Sequence, residues 1–181
     1  MRKAFTLLSI ILLSSGILFA QDGNSAIIYG PDWAYLIVAP DGYALDNRSL
    51  QKKGIWGLFY KMDQSSYQAD KLHICIKPFQ KGGEYPDTVD SLIRWDLGSA
   101  LENIPGLVAT YYKDIELGDF TSCKVFKVDD DDRKNYLLQG YVTEKRASFV
   151  FVLMARSKEE REQNEKPYTE LLASFVYMEK E

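Results

Sequence analysis

The order of apolar and polar positions predicts strands first, then a helix, then a run of strands and a closing helix. Alternation is clearest over 72–77, where Leu72, Ile74 and Ile76 share one face and the residues between them share the other. Pro78 is predicted to end this strand, because proline lacks the N–H that a strand ladder needs. The predicted strands cover 34–38, 55–60, 72–77, 107–113, 123–128, 136–143 and 147–155.

Between Pro86 and Pro105 the apolar spacing becomes helical. Asp87 is the predicted N-cap of this helix, and a Pro-Gly pair ends it. A second helix is predicted from Ser157, which begins a capping-box sequence, to about 175, and Pro167 either kinks it or begins its second half. The apolar stripe of the first helix consists of Val89, Leu92, Ile93, Leu97, Ala100, Leu101 and Ile104.

The later strands define the fold class. The stretch ASFVFVLMA over 147–155 is apolar on both faces, as in a central strand that is covered on both sides. Short connections join the later strands, and short hairpins join antiparallel strands. The predicted class is therefore α+β, a twisted, mainly antiparallel sheet of about six or seven strands flanked by helices. We expect one domain over 32–181, preceded by a flexible lead over 21–31.

Residues 1–20 have the form of an export signal. Arg2 and Lys3 precede an apolar run over 5–19, and Ala20 supplies a small residue at the predicted cleavage point. Because the run is shorter than the roughly 20 apolar residues of a membrane span, removal is favoured over anchoring. No cysteine lies at the cleavage point to accept a lipid. The mature protein is thus expected to be soluble, in the periplasm or outside the cell, without stable membrane insertion.

Charge argues against nucleic acid as a partner. Removing Arg2 and Lys3 leaves 20 basic residues against 26 acidic ones, a net charge near −6. Such a chain offers a phosphate backbone no general attraction. An exported or envelope protein is the expected partner instead.

The two cysteines, Cys75 and Cys123, both fall in predicted strands. Outside the cytoplasm a disulfide persists, and a bridge closing such a loop would stabilise the fold by about 4 kcal/mol in the chain-entropy account. The alternative is a pair of buried free thiols, because a bridge needs a short Cα separation that sequence does not supply.

No catalytic constellation is visible in the sequence. His73 is the single histidine, no GxSxG motif accompanies it, and its strand position predicts a solvent-side or second-face residue. The DDDD run over 129–132 suits calcium by ligand type, but its spacing is not that of a calcium loop, so a solvated hairpin tip is favoured. Neither a metal ion nor a cofactor is predicted.

Acidic residues near the first helix leave a hydrolase as the alternative. Two carboxylates facing each other across a cleft would suit acid–base work, although the positive end of the helix dipole explains acids at a helix start better. The acids concerned are Glu84, Asp87, Asp90 and Asp96.

The candidate ligand-binding residues lie in the N-terminal half. Asp46 and Asn47 follow the first strand in a turn, where such side chains bond the local backbone but where sites are also built. Aromatic residues crowd the same region, and an exposed group of them could stack on a sugar or hold a partner. Their strand spacing nevertheless favours the core for most of them. Trp95 shares this ambiguity, because it falls beside the helical stripe. The ligand set is therefore Trp33, Tyr43, Asp46, Asn47 and Trp56, with Tyr35, Tyr60 and Tyr67 nearby.

Three stretches carry a resemblance to a known family. AYLIVAPDGYALDNRS with GIWGLFY, a Ser-Tyr-Gln-Ala stretch, and SFVFVLMARSKEE followed by PYTELLASF resemble the PsbP-like superfamily of exported α/β/α sandwich proteins. Relatives often place tryptophan after the turn glycine, where this chain has Tyr43. The resemblance implies a twisted antiparallel sheet between helices and a family in which many members are non-catalytic accessory or binding factors. It supplies no catalytic residue.

These observations together predict an exported, soluble, non-enzymatic accessory or binding domain. The alternatives are a cell-envelope hydrolase that uses carboxylates and a carrier of a small ligand or metal.

Overall fold

The computed structural model describes residues 24–64, 68, 71–82 and 85–179. The predicted export signal lies outside the described residues, as do Tyr67 and Glu84. The described residues form ten strands: β1 Ser25–Tyr29, β2 Trp33–Val38, β3 Tyr43–Asp46, β4 Gly57–Lys61, β5 His73–Gln80, β6 Val108–Glu116, β7 Ser122–Asp130, β8 Asn135–Thr143, β9 Ala147–Ala155 and β10 Val176–Glu179. The helices are α1 Val89–Ile93, α2 Ser99–Asn103, α3 Lys158–Gln163 and α4 Glu165–Ser174, and a π-helical segment, Arg94–Gly98, joins α1 to α2.

Seven strands form one antiparallel sheet in the order β3-β4-β5-β9-β8-β7-β6. The α+β prediction is confirmed. β9 lies at the centre, and every residue of it except Met154 is buried. Its unbroken apolar sequence follows from this position, since both of its faces are covered.

The sheet separates two apolar layers. One face packs under α4 and a small second sheet of β1, β2 and β10, and its core includes Phe149, Phe151 and Leu171. The other face packs under the α1–α2 helix, and its core includes Leu92, Leu97 and Val150. The alternation predicted over 72–77 is confirmed, because Ile74 and Ile76 face the first layer while Cys75 faces the second. We call the second side the helical face.

A second, three-stranded antiparallel sheet has the order β1-β2-β10. The prediction of a flexible lead over 21–31 is therefore wrong for Ser25–Tyr29, which pair with β2 along their whole length. Ile28 is buried in the first core layer, and burial of its side chain stabilises this short strand. The polar residues around the strand make it hard to recognise from the sequence.

β5 continues through Pro78 to Gln80, so the prediction that Pro78 ends the strand is also wrong. The last pair between β5 and β4 involves Ile76, whose carbonyl accepts a hydrogen bond from the Trp56 N–H. Beyond that point β5 pairs only with β9, and Pro78 lies opposite Phe149. Alternation directs the missing N–H of Pro78 to the unpaired side, where no ladder bond is lost.

The N-cap of the first helix is Thr88, so the prediction of Asp87 as the N-cap is wrong. The Thr88 hydroxyl accepts the Ser91 N–H at 3.2 Å and the Ser91 hydroxyl accepts the Thr88 N–H at 3.1 Å, a reciprocal cap. Leu92 and Leu97 are both buried although they are five positions apart in the chain. A π turn, with its i to i+5 spacing, brings such positions to one side of the helix.

The C-terminal helix is divided at Asn164, and Pro167 lies in the first turn of α4, where its missing N–H costs nothing. The predicted Ser157 cap is confirmed, since its hydroxyl accepts the Glu160 N–H. None of the helices in the described part of the chain is long and apolar enough to cross a membrane.

Candidate binding surface on the helical face

The predicted aromatic ligand residues belong to the core. Trp33 and Tyr43 are buried, and Trp33 packs against Trp56, Tyr35 and Phe149 with ring centroids 5.4–5.9 Å apart. Trp56 is partly buried against the same layer. The interpretation of Trp33 and Tyr43 as exposed ligand contacts is therefore wrong, because β2 and β3 direct these rings into the first core layer.

Asp46 and Asn47 form hydrogen bonds within the turn in which they lie. The Asp46 Oδ1 accepts the backbone N–H groups of Arg48 and Ser49 at 2.9 and 3.0 Å. The Asn47 carbonyl accepts the Gln51 side-chain amide at 2.6 Å. The Asp46 side chain orders the loop locally, as aspartate commonly does in turns, whereas Asn47 contributes through its backbone carbonyl.

Cys75 and Cys123 are free and buried, so the disulfide alternative is wrong. They face opposite core layers. Their strands, β5 and β7, are three positions apart in the sheet, a separation of about 14 Å against the roughly 7 Å limit for a bridge.

The single histidine and both cysteines are buried in this fold. His73 lies on the helical-face side of β5 but is buried rather than solvent-exposed, with its Nδ1 2.8 Å from the Lys71 carbonyl. Burial lowers the pKa of His73, which favours the neutral ring. Burial also raises the pKa of Cys75 to about 11 and the pKa of Cys123 further. Both thiols therefore stay protonated at neutral pH.

The acidic run over 129–132 ends one hairpin strand and forms part of the tip, as predicted. Asp129 pairs with Arg161 and, at 3.2 Å, with Lys158. Asp130 pairs with Arg133 at 2.9 Å. Lys158 also lies 3.5 Å from Asp131, so cations of the chain already pair with three of these four carboxylates. The described residues hold no cluster of three or more metal-ligating side chains.

A cluster of three aromatic rings lies on the surface of the helical face. Phe79 comes from the end of β5, Tyr85 from the connection before α1, and Trp95 from the π segment. Their centroids are 5.2 Å apart for Phe79 and Tyr85, 5.3 Å for Phe79 and Trp95, and 5.6 Å for Tyr85 and Trp95. Tyr85 is 41% exposed and Trp95 43% exposed. We call Phe79, Tyr85 and Trp95 the aromatic platform.

Asp96 fastens the π segment to the sheet. Its Oδ2 accepts a hydrogen bond from the Gln139 side-chain amide at 2.6 Å and one from the Tyr141 hydroxyl at 2.8 Å. Burial first, and then the neighbouring Asp96 charge, raise the pKa of Tyr141 far above its ordinary value, so the hydroxyl remains a donor. π turns often occur at functional sites. Here the turn places Trp95 at the surface, and hydrogen bonds to the sheet hold the neighbouring Asp96.

Two clefts flank the π segment and share Arg94. The first, of about 530 Å³, lies between α1 and the β6–β7 edge. Tyr111 is 54% exposed there and meets Phe126 edge-to-face at 5.8 Å. The second, of about 460 Å³, lies beside Trp95 and is lined by Arg94, Trp95, Asp96, Ser99 and Glu102. We call it the Trp95 cleft.

An ion pair crosses the first cleft. Lys124 Nζ lies 2.9 Å from Asp90 Oδ1, and the hydrogen bond between them raises the pKa of Lys124 and lowers that of Asp90. Asp90 is thus held ionised beside a cation, which suits neither proton donation nor abstraction near neutral pH. Two of the acids considered for a hydrolase pair, Asp90 and Asp96, each have partners on the sheet.

Sequence reasoning singled out Trp95 but missed Phe79 and Tyr85. The signal in the sequence was that Trp95 lies beside the apolar stripe of its helix rather than within it, a position that allows the ring to reach the surface. Phe79 follows Pro78, which was expected to end β5, and Tyr85 lies in a connection without periodicity. Only the fold brings the three rings together.

The layered arrangement, a twisted antiparallel sheet between helices, is a PsbP-like fold. It is similar to the solution structure of cyanobacterial PsbP (CyanoP) from Synechocystis sp. PCC 6803, with a TM-score of 0.51 over 86% of this chain and 93% of that chain. The two sequences are 12% identical, so the likeness concerns the fold alone. Neither a protein-family model nor a curated protein matches the sequence.

Proposed function

We propose that this protein is an exported, soluble, non-enzymatic binding or accessory domain that uses the helical face to hold a partner of the cell envelope. The aromatic platform carries the proposal. Exposed large rings on a rigid surface supply contact area at little cost in side-chain entropy, and binding hot spots are enriched in Trp and Tyr. The form of residues 1–20 supports export.

The burial of both thiols and of the single histidine supports a non-enzymatic role. Neither thiol is activated, and the pKa of His73 is lowered away from the range of a general base. The two flanking clefts also support the second candidate, a carrier of a small ligand, because they fall in the size range of about 300–1,000 Å³ that ligand sites occupy.

Retention of envelope material tests the proposal. The processed full chain is immobilised and exposed to envelope extract of its own host, beside W95A and the matched control Y29A, which truncates a surface ring of the small sheet that is 61% exposed. We expect the wild type and Y29A to retain the same protein or glycan and W95A to lose it. Equal retention by all three, together with turnover in a hydrolase screen that a single Asp or Glu substitution abolishes, would overturn the proposal.

Intact mass of the protein recovered from the host tests export. Cleavage after Ala20 predicts loss of residues 1–20. A full-length mass in the cytoplasmic fraction would contradict it.

A further inference from the structure

We propose that the Trp95 cleft binds a neutral sugar unit of a glycan, with the indole of Trp95 as the stacking surface. The inference deepens the proposed function and rests on it.

The platform rings leave no room between them. All three pairs are tilted or edge-to-face with centroids 5.2–5.6 Å apart, the separation of rings in mutual contact. A cage for an ammonium group needs rings that surround the cation, each centroid within about 6 Å of it. Rings that already fill the space between themselves leave no such cavity, so a ligand can stack only on an outer, exposed ring surface.

Trp95 is held before any ligand arrives. Phe79 and Tyr85 pack against its ring in edge-to-face contacts, and its neighbour Asp96 is hydrogen-bonded to Gln139 and Tyr141. Little conformational entropy is then lost on binding, and this loss is one of the main costs of association.

The polar groups around the indole match sugar hydroxyls. Ser99 and Glu102 supply a hydroxyl and a carboxylate, and Arg94 supplies a fork of N–H donors. Within the described part of the chain no hydrogen bond occupies the side chains of these three residues. A sugar ring offers an apolar C–H face for the indole and a rim of hydroxyls that both donate and accept, so it satisfies the ring and the polar rim together.

The charge of the cleft selects against anions. Two carboxylates, Asp96 and Glu102, stand against one guanidinium, Arg94. A uronic acid, a sugar phosphate or a nucleotide would meet net repulsion in this cleft. The favoured ligand is therefore uncharged, such as a unit of a hexose, pentose or N-acetylhexosamine polymer.

Titration of the processed full chain with neutral oligosaccharides tests the inference. The probes are cello-, xylo-, malto- and chito-oligosaccharides, with a polygalacturonate fragment as the anionic comparison, and the readouts are tryptophan fluorescence and the indole N–H resonance of Trp95. We expect at least one neutral series to bind and to shift that resonance, and the anionic fragment not to bind. W95A should weaken binding about tenfold or more, because it removes the aromatic surface on which the sugar is proposed to stack.

Three further variants make the result specific. W95F retains a ring and should bind between wild type and W95A, E102Q should weaken binding severalfold while leaving the fold intact, and Y29A should bind as wild type does. Failure of every neutral series at millimolar concentration, or binding that W95A leaves unchanged, overturns the inference. If the protein then still retains an envelope protein in a Trp95-dependent manner, the proposed binding function is supported and only the assignment of a sugar ligand is rejected.

Discussion

Asp96 to Ala is expected to destabilise the fold and release the π segment. The carboxylate accepts two hydrogen bonds, from the buried Tyr141 hydroxyl at 2.8 Å and from the Gln139 amide at 2.6 Å. A hydrogen bond to a charged group contributes about 1.5–3 kcal/mol. At the lower value for each bond, the substitution costs about 3 kcal/mol, and it leaves the hydroxyl of a fully buried tyrosine without an acceptor.

The assay is urea denaturation followed by tryptophan fluorescence, with a thermal scan as a second measure. For a domain of this size 1 kcal/mol shifts the Tm by about 2–4 °C, so we expect a fall of about 6–12 °C. Asp96 to Asn keeps one acceptor but loses the charge, and its effect should lie between those of wild type and the alanine variant.

A double-mutant cycle with Tyr141 to Phe separates this bond from general loss of packing. In the wild-type background Tyr141 to Phe should cost about 1.5 kcal/mol, and in the Asp96 to Ala background it should cost close to nothing, because its acceptor is already gone. A cost of less than 1 kcal/mol for Asp96 to Ala, or equal costs of Tyr141 to Phe in both backgrounds, would refute the reasoning.

Three other predictions concern the buried thiols, a strand glycine and one acidic side chain. Intact mass should not change on reduction, and Cys75 and Cys123 should react with a thiol reagent only at the rate of unfolding, since both are buried and the pKa of Cys75 is raised to about 11; fast labelling of the native protein would contradict this. Gly140 to Ala should destabilise by about 1–3 kcal/mol in chemical denaturation, because the new Cβ would lie 2.7 Å from the Tyr168 hydroxyl and 2.8 Å from the Cys123 sulfur; unchanged stability would show that the site relaxes freely. Glu165 should stabilise the fold at neutral pH and cease to do so on acidification: burial raises its pKa, but hydrogen bonds from two β6 side chains outweigh burial and leave the pKa lowered. Its contribution is therefore present above the ordinary carboxyl range near pH 4.3 and lost as pH falls through the lowered value, so Glu165 to Gln should reduce the difference in stability between pH 7 and pH 3.

The local sequence pattern was enough to predict strands with one apolar and one polar face, and helices that begin with a capping residue. Alternation over 72–77 assigned Ile74 and Ile76 to one core layer, and the Ser157 hydroxyl caps its helix as the sequence indicates. The uninterrupted apolar run of β9 predicted a central strand, because a strand covered on both sides has no polar face to show. These features depend on side chains within a few residues of one another.

The candidate site did not follow from such patterns. An aromatic residue at strand or helix spacing fits a core and a surface equally, and only packing by distant elements decides between them. β2 directs Trp33 inward, whereas the π segment directs Trp95 outward beside Phe79 and Tyr85. The sequence therefore determined the class of fold and the kind of residue available for binding.

The tertiary structure decided which rings reach the surface and how far apart the two cysteines lie. Cys75 and Cys123 have strand positions that sequence alone allows to meet, and the order of strands in the sheet places them on opposite faces, three strands apart. The reason is physical: burial and separation are properties of contacts between residues far apart in the chain, and local periodicity contains no information about which of those contacts form.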